Sequence, residues 1–127
     1  MELKNFKVNG DEFVFICEEY SNSREWGHKV ELQRKGFSGG YITLEKTKIR
    51  YYNRTWECYR FQTAMLKVVR KYIEGLENIL ETDYREEHNI TRMSAKHREV
   101  LDGIIANNES IKTYEKLYRQ VRGYEEV

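Results

Sequence analysis

The sequence predicts an α+β fold: a twisted antiparallel sheet of three or four strands, a long helix packed on one face, and two shorter C-terminal helices completing the core. Two periodicities and one absence carry that expectation. Up to Tyr52 the apolar residues recur every second position, as in strands with one buried face, and from Asn53 onward they recur at steps of three and four, as on a helix. Proline is missing from all 127 residues, so no fixed-φ residue stops a helix, and turns must be made by Gly, Asn, Asp and Ser.

The first strand lies near Lys4 to Val8. Asn9-Gly10 joins it to a second, near Glu12 to Tyr20, because a two-residue type I′ turn needs positive φ at both central positions. Within the second strand Phe13-Val14-Phe15-Ile16-Cys17 is apolar on both faces, which predicts a central strand with helix on one side and aromatic or partner contacts on the other. Trp26 to Lys35 alternates, with Trp26, His28, Val30 and Leu32 on the buried face. Gly36 to Gly40 is a loop, and Tyr41 to Tyr52 forms the last strand. Its apolar phase slips between Leu44 and Ile49, which predicts a bulge near Glu45-Lys46-Thr47.

Asn53 can cap the long helix. Phe61, Met65, Val68, Val69, Tyr72, Ile73, Leu76, Ile79 and Leu80 supply its apolar stripe, and a polar stretch from Glu81 to Asn89 follows. Two helices are expected after it. The first spans about Thr91 to Ala106, with Met93, Val100, Leu101, Ile104 and Ile105 inward. The second spans about Glu109 to Arg122, with Ile111, Tyr114, Leu117, Tyr118 and Val121 inward. Asn107-Asn108 separates them and supplies a cap.

Size and composition fit one domain, residues 1–127. Aromatic residues make up 13% of the chain, enough to build a core although 34% is charged. No apolar run approaches the ~20 residues that cross a bilayer, and Met1-Glu2-Leu3-Lys4 lacks the layout of a signal peptide, so no membrane partner and a cytoplasmic location are expected. In a reducing compartment Cys17 and Cys58 read as two buried thiols rather than a disulfide.

The net charge of +1 conceals segregation. Residues 54 to 73 carry Arg54, Arg60, Lys67, Arg70 and Lys71 against Glu57, five cations against one anion, a net +4. Residues 74 to 87 carry Glu74, Glu77, Glu81, Asp83, Glu86 and Glu87 against Arg85, six anions against one cation, a net −5. That order opposes the helix macrodipole, whose positive N-terminus prefers carboxylates, and so favours a role facing a partner. The bland alternative is a solvated face.

Just ahead of the helix lies the densest mixture of arginine and aromatic side chains: Arg50, Tyr52, Arg54, Trp56, Tyr59 and Arg60. Such groups hold single-stranded nucleic acid by stacking and guanidinium contacts. An overall pI near 7.7 is nevertheless low for a dedicated nucleic-acid binder. Catalysis has less support, and no cofactor is expected. His28 sits on an apolar strand face as a core residue would. A Cys17 or Cys58 partnership with His28 lacks a third orienting group and an oxyanion loop. His88 and His97, nine apart, lack the i, i+4 spacing that places two ligands on one helix face, so no metal site is expected. Gly36-Phe37-Ser38-Gly39-Gly40 lacks the lysine and the strand-loop-helix setting of a phosphate loop.

The segments Tyr51-Tyr52-Asn53-Arg54-Thr55-Trp56-Glu57, Tyr59-Arg60-Phe61-Gln62-Thr63 and Ser23-Arg24-Glu25-Trp26-Gly27-His28-Lys29 resemble parts of small proteins encoded by phages, plasmids and conjugative elements of Gram-positive bacteria. The resemblance covers residues 12 to 73 and offers no catalytic residues to carry over. It implies a setting in which short non-enzymatic proteins bind and disable a host defence component, anti-CRISPR proteins being the best-studied class. The expected function is therefore inhibition of a host defence protein or nucleoprotein such as a CRISPR effector, in the cytoplasm of the bacterial host. On that reading the acidic block of Glu77, Glu81, Asp83, Glu86 and Glu87 imitates nucleic-acid phosphate, and the arginine and aromatic cluster anchors the contact. The alternative is an accessory protein that binds single-stranded nucleic acid. A small enzyme using a Cys/His pair is a third.

Overall fold

The chain opens with a hairpin of β1 (Glu2–Val8) and β2 (Asp11–Ser21). Asn9 and Gly10 turn it with φ of 52° and 86°, the two positive values that the type I′ turn requires. β3 (Trp26–Lys35) and β4 (Tyr41–Tyr51) complete a four-stranded antiparallel sheet in the order β1-β2-β3-β4. α1 (Phe61–Glu87), α2 (Ala95–Asn107) and α3 (Glu109–Arg122) follow. The computed structural model describes residues 1–51 and 60–124, and the Asn53 cap expected for the long helix lies outside them.

Strand register decides which side chains become core. Phe6 faces Phe13, Phe15 faces Leu32, Cys17 faces Val30, and His28 faces Ile49, all on one side of the pleat. Against that side pack Ala64, Met65, Val68, Val69 and Ile73 of α1 with Ile111, Tyr114, Leu117 and Val121 of α3. Each buried Val, Leu, Ile, Phe or Met among them contributes about 1.5–3 kcal/mol relative to exposure. Tyr114 sits at the three-way junction, its ring 5.5 Å from Phe13 and 4.6 Å from Tyr72. Burial first, and then the neighbouring Tyr72 hydroxyl, push its own hydroxyl well above the ordinary range.

Several expectations need correction. The long helix begins at Phe61 rather than near Asn53, because Arg60 is extended (φ −117°, ψ 154°) and stands at the N-cap position without a side-chain capping bond. It also continues through Glu87, so Glu81 to Glu87 are helical rather than a polar connection. Arg85 explains part of this, since its guanidinium lies 3.2 Å from Glu81 one turn earlier and 3.1 Å from the Thr91 carbonyl. The bulge sits at Leu44, which is skipped between the pairs Leu32↔Glu45 and Gln33↔Thr43, one residue before the expected place.

α2 also differs from expectation. It starts at Ala95, where Ser94 caps it by accepting from the His97 amide, and only Leu101 of the five residues expected inward is fully buried. Val100 and Ile104 stay 48% and 42% exposed because α2 packs chiefly on α1 and α3. α3 runs over Glu109–Arg122, with Asn108 accepting from the Ile111 amide at 3.0 Å. Its C-terminal carbonyls find an unforeseen partner: Gln62 Nε2 lies 2.7, 3.0 and 2.8 Å from the oxygens of Val121, Arg122 and Tyr124. One amide thereby ties the start of α1 to the end of α3 and satisfies acceptors that every helix end leaves open. Among the described residues no helix is long and apolar enough to cross a membrane.

Candidate functional site

Successive strand residues point to opposite faces, so the pattern Lys46-Thr47-Lys48-Ile49-Arg50 sorts itself without further help. Thr47 and Ile49 turn toward the helices, and Lys46, Lys48 and Arg50 turn to the other face about 6.7 Å apart. Among the described residues β4 pairs only with β3, so this row lies along a sheet edge, where lysines also discourage pairing with another chain. α1 runs beside the same edge and brings Lys67 and Lys71, one turn apart, to it. Together with Lys29 of β3 they line a shallow groove of ≈ 660 Å³ whose other charged walls are Glu18 and Glu31. Five lysines against two glutamates leave the lining at +3.

Local pairs hold that groove in shape. Lys46 lies 3.3 Å from Glu31, and Lys71 lies 3.4 Å from Glu45 and donates to the Lys46 carbonyl at 3.1 Å. Lys48 and Lys29 approach the ring of Tyr20 at 4.3 and 5.2 Å, a cation–π arrangement. Tyr20 in turn needs Gly27 opposite it: a Cβ there would stand 1.9 Å from the Ile49 carbonyl oxygen and 2.9 Å from the tyrosine ring. The glycine therefore creates the seat of the aromatic ring between the lysines.

A second hollow, ≈ 540 Å³, opens at the β2–β3 turn between Glu19 and Trp26 with Arg50 and Tyr51. Asn22 builds the turn by accepting from the amides of Arg24 and Glu25, both at 2.9 Å. Glu25 then grips Arg50 at 2.7 Å and Lys48 at 3.1 Å. Arg50, expected as a contact residue, is thus joined to the basic groove through a shared carboxylate. Tyr52, Arg54, Trp56 and Tyr59 lie outside the described residues. Arg60 is exposed at the entry to α1.

The acidic block does not form one surface. At 100° per residue, Glu77 and Glu81 share a face of α1, whereas Asp83 stands 200° on from Glu81 and groups with Glu86 and Glu87 on the far side. Glu81 is already engaged with Arg85 at 3.2 Å and Arg98 of α2 at 3.1 Å. The hydrogen bond from Arg85, reinforced by Arg98 and opposed by burial, holds its carboxyl below the usual range. Asp83, Glu86 and Glu87 remain exposed at the end of the helix.

Of the residues considered for catalysis, His28 and Cys17 sit in the interior. His28 is 3% exposed, with the Tyr51 hydroxyl 3.2 Å from Nδ1 and the Phe61 ring 4.2 Å from its own. Cys17 is fully buried, and Cys58 lies outside the described residues. The contact residues expected from the sequence did not include Lys29, Lys46 or Lys48, and Lys67 and Lys71 entered only through the net charge of the helix start. The alternation in β4 could have revealed Lys46 and Lys48. The union of strand and helix lysines could not be read that way. No family model matches the chain, and no solved structure shows a significant match.

Proposed function

We propose that this protein acts by binding, without catalysis, as an inhibitor of a host defence nucleoprotein of the CRISPR-effector kind inside the bacterial cell. The opposition of charge along α1 carries the reading. Near its start Lys67 and Lys71 join Lys29, Lys46 and Lys48 in a groove of net positive charge. At its end Asp83, Glu86 and Glu87 are exposed. A nucleoprotein presents both complements, phosphates and the basic side chains that hold them, whereas a bare nucleic-acid strand presents only one. The interior positions of Cys17 and His28 support the absence of catalysis, since neither offers its reactive atom to a substrate. The resemblance to mobile-element proteins supplies the setting.

Affinity capture from a bacterial lysate, with and without nuclease, tests this directly. An intact nucleoprotein should be retained, and its protein component should be lost or weakened after nuclease treatment. Replacing Asp83, Glu86 and Glu87 by Lys should slow association at low salt and leave circular dichroism unchanged, because exposed charges contribute only ~0 to 1 kcal/mol each to stability. Full inhibitory activity in that triple variant would reduce the acidic end to a solvated face.

The second reading, binding of single-stranded nucleic acid, draws on the alternate cations Lys46, Lys48 and Arg50 beside the Tyr20 ring. A labelled single strand separates the two. The isolated inhibitor should give no shift at physiological salt. Tight binding that weakens steeply with salt and disappears in Lys46→Ala/Lys48→Ala or Arg54→Ala/Arg60→Ala would replace the first reading by the second.

A further inference from the structure

His88 and His97, which sequence spacing keeps apart, meet where α1 hands over to α2. Their ring centroids lie 6.0 Å apart with the planes inclined by 63°. Tyr84, 5% exposed, organises both rings. Its own ring stacks on His88 at 4.2 Å, its carbonyl oxygen lies 3.0 Å from His88 Nδ1, and its hydroxyl lies 2.8 Å from His97 Nδ1. A carbonyl oxygen only accepts, so His88 donates from Nδ1 and its neutral ring keeps the lone pair on Nε2. The tyrosine hydroxyl can likewise accept from His97 Nδ1, which leaves His97 Nε2 available in the same way.

That is the outer-shell pattern of histidines that bind metal: one ring nitrogen is held on an acceptor, which sets tautomer and orientation, and the other meets the ion. The separation fits as well. With a metal–nitrogen bond of about 2.0–2.1 Å, each centroid stands about 3.2 Å from a shared ion, so two centroids lie about 5.2 Å apart at a tetrahedral angle and about 6.4 Å apart when opposed. The observed 6.0 Å falls inside that interval.

We propose that His88 and His97 form a two-histidine site for a late first-row divalent metal, of the Zn²⁺, Ni²⁺ or Cu²⁺ class, completed by water. Imidazole nitrogens favour these ions over Mg²⁺ or Ca²⁺, which take oxygen ligands. No third His, Cys, Asp or Glu joins the pair among the described residues, so the coordination stays open and the ion exchangeable. Because one ligand caps α1 and the other lies in the first turn of α2, a bound ion clamps the two helices. An ion that binds only the folded state raises its stability.

The test is titration calorimetry and thermal unfolding with NiCl₂ and ZnCl₂, and with MgCl₂ as control, on the 127-residue chain carrying Cys58→Ser, since a thiol captures the same ions. One Ni²⁺ or Zn²⁺ per chain should bind and raise Tm, and Mg²⁺ should do neither. His88→Gln and His97→Gln should each abolish the rise while keeping the circular dichroism of the parent. Tyr84→Phe should weaken binding roughly ten- to a hundredfold, the range for loss of an outer-shell partner. Cu²⁺ bound to protein with both histidines intact provides a readout independent of variant folding, its electron paramagnetic resonance showing two equatorial nitrogens. Undiminished Ni²⁺ heat in the double glutamine variant, or a Cu²⁺ spectrum without nitrogen coupling, would overturn the site.

Discussion

Phe61 to Ile73 and Gly75 to Glu87 belong to one unbroken helix, yet they live in different surroundings. The first part lays Ala64, Met65, Val68, Val69 and Ile73 against the sheet and α3, none of them more than 1% exposed. The second part reaches past the sheet. Leu76 and Leu80 are half-buried, Ile79 is 59% exposed, and only Tyr84 is enclosed. Leu76 and Leu80 still pack against the edge of the core, and polar attachments lead to α2: Tyr84 to His97, Glu81 to Arg98, and Arg85 to the Thr91 carbonyl. The same helical pattern is therefore stabilised by full apolar burial at one end and by partial burial together with hydrogen bonds and ion pairs at the other. The charges follow suit, basic where the helix borders β4 and acidic where it leaves the sheet.

The largest effect should come from emptying the packed half. Met65→Ala is expected to cost 2–5 kcal/mol in denaturant unfolding, the range for a buried methionine truncated to alanine, whereas Ile79→Ala in the outer half should stay within about 0.5 kcal/mol. Equal losses at the two positions would abolish the distinction. Next comes the clasp at the head of the packed half. Gln62→Ala leaves the Val121, Arg122 and Tyr124 carbonyls without their shared donor and should cost about 1–3 kcal/mol, measured as a fall in the urea midpoint at constant slope.

Smaller still is the contribution of Glu81 in the outer half. Its folded pKa is depressed below the ordinary 4.5, so the stabilisation is complete above that value and is lost as pH falls below it. Glu81→Gln should accordingly lower Tm slightly at pH 7 and narrow its gap to the parent protein toward pH 3. A gap that widens in acid would reverse the assignment. Amide exchange offers a further comparison along α1: Met65 to Ile73 should exchange more slowly than Ile79 to Glu86, since the latter open without exposing a core.

Much of this organisation was legible in the residues themselves. The β3 span Trp26–Lys35 and the α3 span Glu109–Arg122 match their expected limits, because alternation, the Asn108 cap and the Arg122-Gly123 end are all local signals. The Asn9-Gly10 turn belongs with them. The inward stripe of α1 was legible over the packed half, where one face meets one core, and misled at Ile79, which stays 59% exposed while Leu80 beside it still touches the core.

Local chemistry determined the elements because backbone geometry, capping and side-chain period act over a few residues and leave their mark in sequence order. Tertiary structure alone decided three other matters: that Lys67 and Lys71 of α1 join Lys29, Lys46 and Lys48, that Glu81 is neutralised by Arg98, and that Tyr84 draws His88 and His97 together. Each depends on where one element lies against another. That placement follows from the whole apolar surface seeking burial at once, so no segment read by itself contains it.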